Sequence, residues 1–181
     1  IFSYSGLIIL GLCAVMLLWG QPTAAAMSEE AQKAIALLDS VDAYERKLGF
    51  LRLEALREPA TAEAIRRYLD HDDFDMRADS LRALAAVEGA KAIPELRSRL
   101  ARDKQARVRW SALLALEPFV ESHPELLGVF IDAMDDYRTE VRMTAADIVS
   151  RIDDPAARKA IELRARKEVH PDVRRVLKMA L

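Results

Sequence analysis

An arginine returns at nearly constant intervals along this chain. Arg46, Arg77, Arg109, Arg142 and Arg174 are separated by 31, 32, 33 and 32 residues. Their neighbours repeat with them. Three residues after each arginine stands Gly49, Ser80, Ala112, Ala145 or Leu177, and seven after stands Leu53, Leu84, Leu116, Val149 or Leu181. The preceding position holds Glu45 in the first copy and Met76, Val108, Val141 and Val173 in the others. Self-similarity at a period between about 20 and 50 residues marks one supersecondary unit copied and stacked. Such a chain needs no single central core, because each copy buries its apolar flank on the next.

Within each copy the apolar spacing is helical, and Pro, Gly or clustered Asp interrupts it every dozen or so residues. The first helix ends near Asp39, the second covers 43–56 and stops at Glu58-Pro59, and the third covers 61–69. The fourth covers 74–87, the fifth 90–100 with Pro94 in its early turns, and the sixth runs from Ala106 to a stop or kink at Pro118. Ser122-His123-Pro124-Glu125 reads as a capped start for the seventh, which runs to Asp135. The last three cover 139–152, 154–168 and 171–181. No segment alternates with period two. The expected class is all-α: ten helices in five antiparallel pairs, with repeats of about 28–57, 60–88, 90–119, 122–152 and 154–181.

One pattern recurs through these pairs: a first helix with an early proline, a short acidic turn, then a second helix opening on Val-Arg with a small residue three further on. Ala92-Ile93-Pro94-Glu95-Leu96 leading through Asp103 to Val108-Arg109 shows it best, with Met134-Asp135-Asp136 leading to Val141-Arg142. This resembles the HEAT repeat, in the short HEAT-like form of phycobilisome-lyase-type proteins. The resemblance spans about residues 28–181 and implies a right-handed α-α superhelix. It also implies that the second helices line a concave docking face.

Arginine in the first turn of a helix sits at the positive end of the macrodipole, so five such placements call for acidic partners. Asp39 and Asp70 stand seven residues before Arg46 and Arg77; Asp103, Asp136 and Glu168 stand six before Arg109, Arg142 and Arg174. The spacing predicts a ladder in which each planar guanidinium bridges its own or the neighbouring acidic turn.

Charge is absent from Ile1 to Ser28, and Leu7–Trp19 is an apolar run broken only by Gly11 and followed by Gly20, Pro22 and Ala24-Ala25-Ala26. Residues 1–27 read either as a secretory signal cleaved after Ala26 or as a retained membrane anchor through residues 1–20. The expectation carried forward is an N-terminal apolar helix ahead of a repeat domain at 28–181, placed on the periplasmic side. Neither a basic leader nor an initiator Met precedes the run, so the gene product is expected to start earlier. Cys13, the one cysteine, lies inside it, which leaves no disulfide or Cys-based metal site in the repeats.

A formal net charge of −2 and an aromatic content of 6% argue against nucleic-acid binding. His71 beside Asp70, Asp72, Asp73 and Asp75 looks superficially like a metal site, but acids in a turn more often cap helices. No nucleophile set, phosphate loop or HExxH occurs, so no catalytic, cofactor-binding or metal-binding residue is assigned. The expected docking residues are Trp110, Leu114, Met143, Arg82 and Asp147, because Trp110 and Leu114 share a helix face and Met143 holds the equivalent position on the next copy. The chain is therefore expected to be a non-catalytic scaffold or accessory subunit, docking on a protein partner in a membrane-associated complex. The alternative is an exported enzyme or lyase-like maturation factor that uses the concavity as a ligand pocket.

Overall fold

The computed structural model describes residues 27–181. Ten α-helices occur among them: α1 (Glu29–Leu37), α2 (Ala43–Leu56), α3 (Ala62–Arg66), α4 (Phe74–Glu88), α5 (Ile93–Arg102), α6 (Ala106–Leu116), α7 (Leu126–Ala133), α8 (Thr139–Ser150), α9 (Pro155–Lys167) and α10 (Pro171–Met179). No strand occurs among the described residues. A short turn folds each even-numbered helix back on the odd-numbered one before it, giving five pairs. The apolar N-terminal helix and the cleavage site fall on residues outside those described. Among the described residues no helix is long and apolar enough to cross a membrane.

Side-chain caps set several helix starts. Ser28 accepts from the Ala31 N–H at 3.1 Å, Asp42 from Tyr44 at 2.8 Å, Asp73 from Asp75 at 2.9 Å and Asp154 from Ala156 at 2.6 Å. Ser122 does not cap: its hydroxyl donates to Phe119 O at 3.2 Å, and α7 begins only at Leu126. The third helix is also shorter than its periodicity suggests. Pro59–Thr61 is a 3-10 turn ahead of α3, and after Arg66 the hydrogen bonds shorten to three-residue turns, Tyr68 N–H to Ile65 O and Leu69 N–H to Arg66 O. The segment expected to open the fifth helix is likewise 3-10 (Gly89–Ala92), which puts Pro94 in the first turn of α5.

The repeating positions are the core. Leu53, Leu84, Leu116 and Val149 are fully buried, as are Ser80, Ala112 and Ala145. The small residues let consecutive second helices approach closely: Ser111 Oγ on α6 donates to Ala78 O on α4 at 2.6 Å. At Gly49 the approach is within one pair. An added Cβ would stand 2.8 Å from both Ala34 O and Leu38 Cδ2.

Second helices pack on one another in series from α2 through α4, α6 and α8 to α10, whereas first helices scarcely touch. Between α5 and α7 this splay opens a groove of about 470 Å³. A stack that is tight along one row of helices and open along the other curves toward the tight row. The second helices therefore line the inner face.

Candidate functional site

The arginine column runs along one edge of this inner row. Arg77 donates through Nε and Nη2 to both oxygens of Asp103, at 2.9 and 3.1 Å. Arg109 does the same to Asp136 at 2.6 and 2.8 Å, and Arg142 to Glu168 at 3.0 and 3.1 Å. In each case the acid belongs to the following copy. The third nitrogen, Nη1, donates to the carbonyls six and five residues back in the arginine's own turn: Ser40 and Val41 for Arg46, His71 and Asp72 for Arg77, Asp103 and Lys104 for Arg109, Asp136 and Tyr137 for Arg142. One guanidinium thus ties its own turn to the next one.

Two of the acids named from spacing stand elsewhere. Asp39 accepts from the Tyr68 hydroxyl at 2.6 Å, and Asp70 from Arg99 Nη2 at 2.8 Å. Burial, and then that bond to Asp39, pushes the Tyr68 phenol up to about 12. Arg46 instead reaches Asp73, with Nη2 3.6 Å from Oδ2. The physical reason is the residue six before the arginine. Ser40, His71, Asp103, Asp136 and Glu168 all accept the N–H two residues on, and only the last three also carry a charge for the preceding arginine. His71 is occupied in this way through Nδ1, 3.0 Å from the Asp73 nitrogen. Among the described residues no three of His, Cys, Asp and Glu converge on a point that could hold a metal ion.

Burial strengthens the column toward its middle. Arg109 is 4% exposed and stacks against the Tyr137 ring at 4.4 Å, while Nη1 takes the Tyr137 hydroxyl at 3.1 Å. Burial pushes the Glu168 carboxyl up, but donors from Arg142, His170 N–H and Arg164 outweigh it and hold the group down at about 2. Asp103 is lowered in the same manner: burial opposes, and Arg77 with the Gln105 N–H prevails.

Trp110 stands on α6, the middle one of the second helices. Its indole is half-buried between α6 and α8, and Nε1 donates to Thr144 Oγ1 at 3.0 Å. Arg107 lies over the exposed ring face, 5.0 Å from the centroid, with Nε 3.7 Å from Asp75 Oδ1. Arg82 and Leu114 come together in a groove of about 230 Å³ formed by α2, α4 and the end of α6, where Glu54 and Arg57 supply charge and Pro118 and Phe119 an apolar wall. Met143 stands exposed on α8. Asp147 is not part of this cluster and turns to Arg151, 3.0 Å away. Below Arg82 lies Asp79, only 6% exposed, its Oδ1 2.9 Å from Arg82 Nη2 but without hydrogen-bond alignment. Burial raises the Asp79 carboxyl above its ordinary value, against the pull of Arg82, Lys47 and Arg107.

Arg107, Thr144 and Asp79 were missed by sequence reasoning. Arg107 was within reach of it, because three residues on one helix put Arg107 and Trp110 on the same side. Thr144 and Asp79 carry no such signal, since each depends on what the neighbouring helix leaves open.

The family model for HEAT repeats matches residues 31–117. That stretch consists of HEAT repeats. Among solved structures, the complex of CpcE and CpcF of phycocyanin lyase from Nostoc sp. PCC7120 shares the HEAT-like fold with a TM-score of 0.67 and 18% identity, over 83% of this chain and 96% of that one. An engineered protein matches with a TM-score of 0.54 and 18% identity, over 83% of this chain and 77% of that one. No curated protein matches the chain in sequence.

These likenesses correct one expectation. The absence of catalytic motifs from the sequence leads to the expectation of a chain without enzymatic activity. A HEAT-like stack of this fold belongs to a lyase complex, so an all-helical repeat array without those motifs is no argument against catalysis.

Proposed function

We propose that the chain is an exported maturation factor of the lyase-like kind. It holds a protein partner on the face lined by its second helices, and the groove between α2, α4 and α6 admits the group being worked on. The observation that carries this reading is Trp110, a half-buried aromatic locked by Thr144 and covered by Arg107, one helical turn from Leu114 in the groove wall. A fixed aromatic beside arginine at the middle of a concave face is the make-up of an interface anchor. Arg57 and Arg82 beside an apolar wall suit a ligand with an acidic group on an apolar body. Asp79, its carboxyl raised above the ordinary value by burial, is outside the groove lining and bears on the groove through Arg82, whose Nη2 lies 2.9 Å from the Asp79 Oδ1. The CpcE–CpcF assembly is a lyase, which supports this class and a protein partner at the level of fold. The uncharged run before Glu29 and Ala24-Ala25-Ala26 support work outside the cytoplasm, on a membrane-associated complex.

The test joins capture to mass. The tagged full chain is used to capture its partner from the native cells, and the partner's intact mass is compared between cells with and without the chain. A partner retained by the wild type, lost from a folded Leu114→Asp variant, and altered in mass when the chain is deleted is the expected result. An unchanged partner mass sinks the maturation role. Full retention by Leu114→Asp sinks the face.

A further inference from the structure

An ion pair ties first helices to the preceding copy at two junctions, and at the junction between them the charges are exchanged and the pair is not made. Arg99 on α5 reaches Asp70 at 2.8 Å, and Arg164 on α9 reaches Asp135 at 2.5 Å. Asp132 and Asp135 stand 33 residues after Arg99 and Arg102, the spacing of Arg109 and Arg142. Copy four therefore puts an acid in the place of Arg99, and copy three an arginine in the place of Asp135. Arg102 and Asp132 line opposite walls of the groove of about 470 Å³ between α5 and α7. Neither forms an ion pair among the described residues, and nor does Arg97 beside them. The other acids of the groove are engaged, Asp135 by Arg164 and Asp136 by Arg109.

The α7 wall is also the most apolar of the first helices. It carries one charge, Asp132, where each of the others carries two or more. Leu126 and Phe130 are buried, while Leu127, Val129 and Ile131 are only partly so. A helix apolar on all sides is ordinarily covered. Gly128 stands exposed among these residues, and a Cβ added there would meet nothing within 4 Å. Glycine weakens a helix interior, and the packing of the described residues makes no use of it. What it does leave is room for a second backbone.

We propose that two copies of this chain pair through this outer groove, about a two-fold axis that runs along it. That rotation sets α7 of each copy over α5 of the other, with Gly128 giving the backbones room to approach. Arg102 of each copy then meets the partner's Asp132, so the pair left unmade within one chain is made twice between two. Charge selects a second copy as the occupant. The groove has a basic wall and an acidic wall, and the two-fold brings each against its opposite, whereas a partner of one sign opposes one wall. The patch is the same on both copies, so the contact closes at two. Both inner faces stay open in the pair, and the inference stands apart from the maturation reading.

Light scattering on the full chain over a concentration series tests this. The expected mass rises to that of a dimer and stops there. Gly128→Trp is expected to run as a monomer with unchanged helix content by circular dichroism, since the new side chain has open space on the single chain. Arg102→Asp and Asp132→Arg each stay at the monomer mass alone. Mixed in equal amounts they return to the dimer, because each contact of the mixed pair again joins an acid to an arginine. A monomeric wild type, which leaves the groove to a different protein, overturns the proposal. So does growth past the dimer, a dimer that survives Gly128→Trp, or a mixture that stays monomeric.

Discussion

Arg109 holds both oxygens of Asp136, through Nε at 2.6 Å and Nη2 at 2.8 Å, while Nη1 is bound to the turn that precedes its own helix. With the guanidinium almost wholly out of water, the side chain is a rivet between two copies rather than a surface charge. Hydrogen bonding to Asp136, against the cost of burial, raises its pKa further.

Arg109→Ala is therefore expected to be severe and Arg46→Ala mild. Removing one partner of a buried pair costs about 3–5 kcal/mol, because the other charge is left stranded. The Arg46–Asp73 pair is longer and more exposed, in the range of about 1 kcal/mol or less. Urea unfolding of both variants checks the contrast. Equal losses, or an Arg109→Ala variant as stable as the wild type, would remove the arginine column from the account of the fold.

Acid should loosen the copies at their C-terminal junction. The Glu168 carboxyl sits at about 2 when folded, below its ordinary value of 4.5. A lowered folded value means the stabilisation is complete above about pH 4.5 and is lost as pH falls toward 2. Its full size is of the order of 3 kcal/mol. Melting temperature followed from pH 6 to pH 2.5 should fall across that window in the wild type, and less steeply in Glu168→Gln, which starts lower.

Gly49 stands where the other copies carry Ser80, Ala112, Ala145 and Leu177, so alanine looks harmless there by the repeat pattern. The backbone of α1 says otherwise, since the new Cβ would press on Ala34 O at 2.8 Å. Gly49→Ala should destabilise by about 1–3 kcal/mol despite its better helix propensity. A thermal melt that rises would show α1 to be free to yield.

Asp79→Asn is expected to stabilise the protein at pH 7 while impairing its work. A carboxyl whose folded value is raised loses stability as pH climbs above its unfolded value, and the amide removes that loss. The wild type and the variant should differ in melting temperature at pH 7 and converge near pH 3.5. Partner modification by the variant, read by intact mass, should drop with capture intact.

The sequence by itself determined the repeat, its helical class and the identity of the buried columns, because every copy meets the same neighbours and so repeats the same side chains. It also marked the arginines as needing acids. Which acids was left to the tertiary structure. Chain separation favours the arginine's own turn, six residues back, over the neighbouring acid 26 residues on, and only the rise from one copy to the next decides that Arg77 meets Asp103 while Asp39 and Asp70 turn to Tyr68 and Arg99. The inner face was half legible for the same reason. Helical spacing aligns Trp110 with Leu114 within α6, but the Thr144 that locks the indole and the packing that buries Asp79 belong to adjoining helices, and no one-dimensional period encodes how far apart those come to rest.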